Sequence, residues 1–209
     1  MGKNFRIFFW VCLFEGGLGA LAWGLGLLIG DSPIATIDWT AASLLKGIVG
    51  TLPLVVGLLC LERCPAAAFV KIRKVVEEVL VPLFQGFALW QLAAVAFLAG
   101  VGEEILFRGL IQGGLAQLLD HVHIPSADLF ALLLASLLFG LLHPLTKTYV
   151  LLCVLAGIYL GGLWIWSDNL VVPIWVHAFY DFFALVYLLR FSRPTPQTIN
   201  EAAVAEEDE

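Results

Sequence analysis

Between Phe5 and Phe191 the sequence is a succession of apolar runs, most of them long enough to cross a bilayer, broken by short polar punctuation. A hydrocarbon core of ~30 Å takes about 20 helical residues to cross. In that medium only helices and closed barrels satisfy their own backbone groups. Of the 209 residues, 61% are hydrophobic and 13% charged, whereas an ordinary soluble domain is about a quarter charged. The sequence therefore predicts an all-α, polytopic transmembrane helix bundle with no separate soluble domain. It has six spans, or alternatively seven.

Taken in order, Phe5 to Gly30 is the first span, closed by the turn residues Asp31, Ser32 and Pro33. Ser43 to Leu61 is the second, with a kink expected at Pro53 and Lys46 placed to snorkel to the surface. From Glu62 to Glu78, charges alternate with Phe69, Ile72, Val75 and Val76 at helical spacing. That pattern suits a helix lying in the interface or a solvated loop helix. Val79 to Leu119 would reach roughly 60 Å at 1.5 Å per residue, so it must break, tilt strongly or project from the membrane. Leu129 to His143, Thr148 to Trp166 and Leu170 to Phe191 complete the set.

Lys3 and Arg6, the 62 to 78 segment, Lys147, Arg190 and Arg193 fall on one side if Val79 to Leu119 is a single passage. The positive-inside rule then puts both termini in the cytosol. Trp39, Trp164 and Trp166 fit interface anchors. Lys3 and Arg6 ahead of an apolar run resemble the start of a signal peptide, but no small-residue cleavage site follows, and the run reads as a retained span. Organisation is expected as N-terminal spans with the amphipathic helix (1–84), a helical bundle (85–191) and an acidic disordered tail (192–209). The tail holds Glu201, Glu206, Glu207, Asp208 and Glu209 and contributes to the net charge of −6. No basic patch suggests nucleic acid. The four cysteines, Cys12, Cys60, Cys64 and Cys153, form no disulfide framework, and no second pair completes a metal site with Cys60 and Cys64.

Against this apolar background, Val101 to Gly109 carries Glu103, Glu104 and Arg108. Ionisable groups inside a membrane usually face a cavity, pair or do chemistry. A helix turns about 100° per residue, so the two glutamates point apart, while Glu104 and Arg108 at i and i+4 share a stripe. Glu104 and Arg108 would neutralise each other and fix the helix. Glu103 is left free to serve as a general base or acid. Two more polar points follow in later spans: His143 in Phe139-Gly-Leu-Leu-His143, and His177 with Asp181, again i and i+4. Together they can activate water, and either bind a metal or stabilise an oxyanion. Glu15, in the first span, reads as an interior residue paired with a neighbour or as a direct participant. His121 and His123 belong to a polar loop.

The order E-E-x-x-x-R, F-x-x-x-H, H-x-x-x-D resembles the CPBP family of intramembrane endopeptidases, named for CAAX-protein and bacteriocin processing and also called Abi. The likeness covers about residues 85 to 190. It implies a membrane helix bundle in which Glu103 and His143 activate the attacking water, His177 with Asp181 stabilise the oxyanion, and Glu104 and Arg108 are structural or substrate-orienting. Family members carry Asn or Asp at the last position. An ionised Asp181 cannot donate a hydrogen bond, so it must be protonated, orient His177 or ligate a metal. Both metalloproteases and metal-independent glutamate proteases are described in the family. Either no cofactor or a divalent metal such as zinc, held by Glu103, His143 and His177, is consistent with the sequence. The expected partners are a peptide or protein substrate at the membrane and the lipid bilayer. The rival readings are a non-catalytic membrane scaffold of the same fold and an ion- or proton-coupled transporter, the latter without a visible inverted repeat. The chain is short and has no long soluble insertion, which points to a prokaryotic or organellar member, with a prokaryotic plasma membrane the expected location.

Overall fold

A computed structural model describes residues 2–191. The acidic tail expected at 192–209 lies outside the described residues. Every regular element among them is helical, as the sequence predicts. The helices are α1 (Lys3–Ile29), α2 (Ala41–Arg63), α3 (Ala67–Phe84), α4 (Leu89–Glu104), α5 (Gly113–His121), α6 (Ala127–Leu141), α7 (Lys147–Ser167) and α8 (Val171–Arg190). A π-helical segment, Ile105–Gln112, joins α4 to α5.

Local chemistry sets the ends of these helices. Gly30 terminates α1 in the left-handed region at φ 79° and donates its N–H back to the helix, a conformation that a side chain would oppose. Thr40 and Ser43 form a reciprocal box at the start of α2, each side-chain oxygen accepting the other's backbone N–H at 3.1 Å. Thr146 caps α7 by accepting from the Tyr149 N–H at 3.1 Å, which restarts the chain as a helix after Pro144.

The long apolar stretch is broken, one of the three outcomes its length allowed. Gln85 to Ala88 interrupt the helix, and α3 meets the continuous helix Leu89–His121 at 114°. By length and apolarity four helices can cross a membrane, α1, α2, α7 and α8, or five if the bent pair counts as one span. That count falls below the six or seven read from the sequence. The physical reasons are this bend and the 15 residues of α6, short of the ~20 that a full crossing takes. The polytopic helical bundle itself stands.

The centre of the bundle is the pair α4 and α8. Leu92, Val95, Ala96 and Ala99 of α4 are buried, and so are Val171 to Ala178 of α8 apart from the half-buried Trp175. Gly100 lets the two backbones approach: a Cβ there would lie 2.9 Å from the carbonyl of Ile174. α1 packs on the other side of α4, α2 covers α8, and α6 packs on α7. The outer faces are apolar, with Trp10, Phe14, Leu28, Leu52 and Leu141 all exposed, as expected where the solvent is lipid.

The α1–α4 crossing is the tightest. Gly19 and Gly102 face each other, and a Cβ on Gly102 would run into the carbonyl oxygen of Glu15. Both colliding atoms belong to backbone, so the helices would have to separate. Gly102→Ala is expected to destabilise the protein by about 1–3 kcal/mol, measured as a lowered unfolding midpoint in detergent. An unchanged midpoint would show that the crossing can relax.

In the charged segment 62 to 78, Glu62 and Arg63 end α2, and a new helix starts at Ala67 and continues to Phe84. Phe69, Ile72, Val76 and Leu80 turn toward the inside of the bundle, while Lys74 and Glu78 pair at 3.8 Å on the exposed side. Arg73 fastens α3 to the end of α2, donating to the carbonyls of Leu61 and Cys64 at 2.9 and 3.1 Å. The amphipathic helix therefore roofs a cavity with its apolar face.

Candidate active site

Glu104 and Arg108 occupy the centre of the site and are all but inaccessible, at 0 and 1% exposure. Arg108 Nη1 donates to Glu104 Oε1 at 3.0 Å, and Nη2 to the carbonyl of Gly157 on α7 at 3.0 Å. The guanidinium also lies over the Phe139 ring, 4.7 Å from its centroid. A buried cation needs such a complete set of partners, since an unpaired charge in low dielectric is costly. The pairing expected from i, i+4 spacing is present.

Sequence reasoning missed a second partner of Glu104. The same oxygen, Oε1, accepts from His177 Nδ1 at 2.8 Å. A carboxylate is only an acceptor when ionised, so Nδ1 carries the hydrogen and Nε2 is turned the other way. On that side lies Asp181 Oδ2, at 3.4 Å. Glu104 therefore ties the E-E-x-x-x-R motif to the H-x-x-x-D motif, and fixes the tautomer and orientation of His177. Spacing within one helix could not reveal a bond between α4 and α8.

Glu103 points away from this pair, as the 100° step requires. Its side chain is 13% exposed, and Oε2 is enclosed without a hydrogen-bond partner. Nε2 of His143 lies 3.8 Å from that oxygen. The other ring nitrogen, Nδ1, meets the carbonyl of Phe139 at 2.7 Å. A carbonyl can only accept, so Nδ1 bears the hydrogen, and in the neutral ring Nε2 presents its lone pair to Glu103. Phe139 has three tasks: its carbonyl orients His143, its ring lies tilted against His143 at 4.7 Å, and it packs edge-on against His177 at 6.1 Å. The F-x-x-x-H spacing follows from the first of these, a bond from i+4 back to i.

Glu103, His143, His177 and Asp181 line one cavity of about 610 Å³. Its walls are apolar side chains of α2 and α3, such as Leu54, Leu58, Ile72 and Val76. Tyr149, Cys153 and Tyr180 line it too, and so does Glu15 from α1. Their apolar neighbours in the sequence gave no signal of this beyond polarity itself. His121 and His123 do not line it. Among the described residues, no three His, Cys, Asp or Glu side chains converge in a way that could hold a metal ion. Glu103, His143 and His177 line one space without converging on a single point.

Residues 85–183 match the model of the family described as Type II CAAX prenyl endopeptidase Rce1-like. Over this region the chain is similar to that family of proteases, the one its three motifs resemble. No curated protein matches the chain, and no solved structure does. With its several apolar helices, the protein is a multi-pass membrane protein.

Proposed function

We propose that this protein is an intramembrane endopeptidase that cleaves a peptide bond of a membrane-associated substrate, with Glu103 and His143 activating the attacking water. The observation that carries this reading is the pair of acceptors, Glu103 Oε2 and His143 Nε2, 3.8 Å apart in the wall of a largely apolar cavity. They are too far apart to bond each other. One water oxygen can sit about 2.8 Å from both, a normal hydrogen-bond distance. Each acceptor would then take one of its hydrogens, leaving a lone pair for attack.

The reaction follows from these positions. The water oxygen bonds to the scissile carbonyl carbon as its proton passes to Glu103, with His143 holding the second hydrogen. The carbonyl oxygen becomes an oxyanion, which accepts a hydrogen bond from Nε2–H of His177 in its doubly protonated form, the ring between Glu104 and Asp181 carrying a hydrogen on each nitrogen. Stabilising charge at this point in a dry cavity is the largest lever such a site has. When the C–N bond breaks, the leaving nitrogen takes the proton from Glu103, giving a carboxylate and an amine. Glu104 acts through His177 by holding its Nδ1–H. Of the three roles open to Asp181, orienting His177 has the support of the 3.4 Å contact between Asp181 Oδ2 and Nε2. Arg108 holds Glu104.

No step in this scheme needs a metal. Cleavage by purified protein is therefore expected to persist through exhaustive chelation, with no stoichiometric metal found by elemental analysis. Restoration of a lost activity by one divalent metal would replace this scheme with a metal-assisted one. The broader reading is tested by comparing the membrane proteomes of wild-type and Glu103→Ala cells. Fragments that depend on Glu103 are expected, and their absence from substrates and products alike would count against an endopeptidase.

A further inference from the structure

We infer that Glu15 of α1 is a substrate-contacting residue that accepts a hydrogen bond from a backbone N–H of the peptide beside the scissile bond. This rests on the endopeptidase reading above, and it adds to the site a residue from outside the family-matched region 85–183.

Placement is the first argument. The Gly19/Gly102 crossing brings the carbonyl of Glu15 against Gly102, the residue before Glu103. This contact sets Glu15 on the wall of the cavity that Glu103, His143, His177 and Asp181 line. The expected pairing of Glu15 with a neighbour does not occur. Its Oε2 is enclosed and has no hydrogen-bond partner.

The second argument concerns what a peptide brings with it. Each residue of an extended substrate carries an N–H into a space lined largely by hydrocarbon, and an N–H buried without an acceptor weakens binding markedly. The carbonyls of the surrounding helices are mostly spent in their own ladders. Glu103 and His143 are committed to the water, His177 to the oxyanion and Asp181 to His177. Glu15 keeps an enclosed oxygen free of any partner, and it offers an acceptor whether or not the carboxyl is ionised. A substrate N–H satisfies that oxygen as it satisfies itself, fixing the register of the peptide against Glu103.

The test uses the full chain in liposomes and a quenched fluorescent peptide that it cleaves in a Glu103-dependent manner. Ester analogues replace, one at a time, the backbone N–H groups flanking the scissile bond by oxygen. Glu15→Leu is expected to raise KM about ten- to a hundredfold with kcat nearly unchanged, the size of one lost buried hydrogen bond. Glu15→Gln, which keeps an acceptor, should restore KM to near wild type. One ester analogue should reproduce the KM rise with the wild-type protein and lose nothing further with Glu15→Leu. A wild-type KM for Glu15→Leu, or ester and mutant losses that multiply, overturns the inference. Should Glu15→Leu not fold, Glu15→Asp, which draws the acceptor back by one methylene, enters the same cycle, and multiplying losses again overturn it. Cleavage that persists in Glu103→Gln would instead sink the endopeptidase reading, and this inference with it.

Discussion

Replacing Glu103 by Gln is expected to lower the rate of peptide cleavage by about a thousandfold, within the range that positioned proton transfer contributes. The substitution keeps size, hydrogen-bonding capacity and a carbonyl oxygen at the cavity wall, but the amide cannot take the water's proton. Because Oε2 of Glu103 makes no bond inside the protein, its loss should leave the unfolding midpoint and substrate KM close to wild type. A fall in kcat without a change in KM is the signature of an interaction made in the transition state. His143→Ala should act on the same step, so the double variant is expected to be little worse than Glu103→Gln alone. Undiminished cleavage by Glu103→Gln would remove Glu103 from the mechanism.

Arg108→Leu is expected to act on the fold. Arg108 is 1% exposed and donates to both Glu104 and Gly157. Taking it away leaves a buried carboxylate short of its cation and a carbonyl of α7 short of its donor. Breaking one side of a buried pair costs about 3–5 kcal/mol, so Arg108→Leu should unfold well below wild type in detergent. Removing both partners in Glu104→Leu/Arg108→Leu eliminates the uncompensated charge and should recover part of the loss. Activity should not return with it, because Glu104 also holds Nδ1 of His177 at 2.8 Å. This split between stability and turnover separates the two duties of Glu104. A single variant Arg108→Leu within about 1 kcal/mol of wild type, the worth of an exposed pair, would show the pair to be dispensable.

Much of the site was legible in the sequence because it depends on helix periodicity. Glu104 pairs with Arg108, and Glu103 diverges from both, because neighbouring residues differ by about 100° around a helix. The bond from His143 to Phe139, and the contact of His177 with Asp181, are also i, i+4 relations. The length of the stretch from Val79 to Leu119 required a break, a strong tilt or a projection, and the 114° bend after Phe84 is the outcome that packing selected. What periodicity cannot carry is distance between helices. It left open how many crossings the apolar runs make, and it did not foresee that the helix widens to π geometry from Ile105 to Gln112.

The sequence by itself determined a membrane-embedded helical bundle with its expensive polar residues on three segments, since apolar length and helical spacing are properties of the chain taken locally. Only the tertiary structure decided which of those residues meet. Close approach at Gly100 and Gly102 lays α8 and α1 against α4. That packing turns Glu104 from half of a local ion pair into the anchor of His177. It also brings Glu15, eighty-eight positions before Glu103 in the chain, to the wall of the same cavity. Contacts of that kind depend on how backbones cross, and no period in the sequence encodes them.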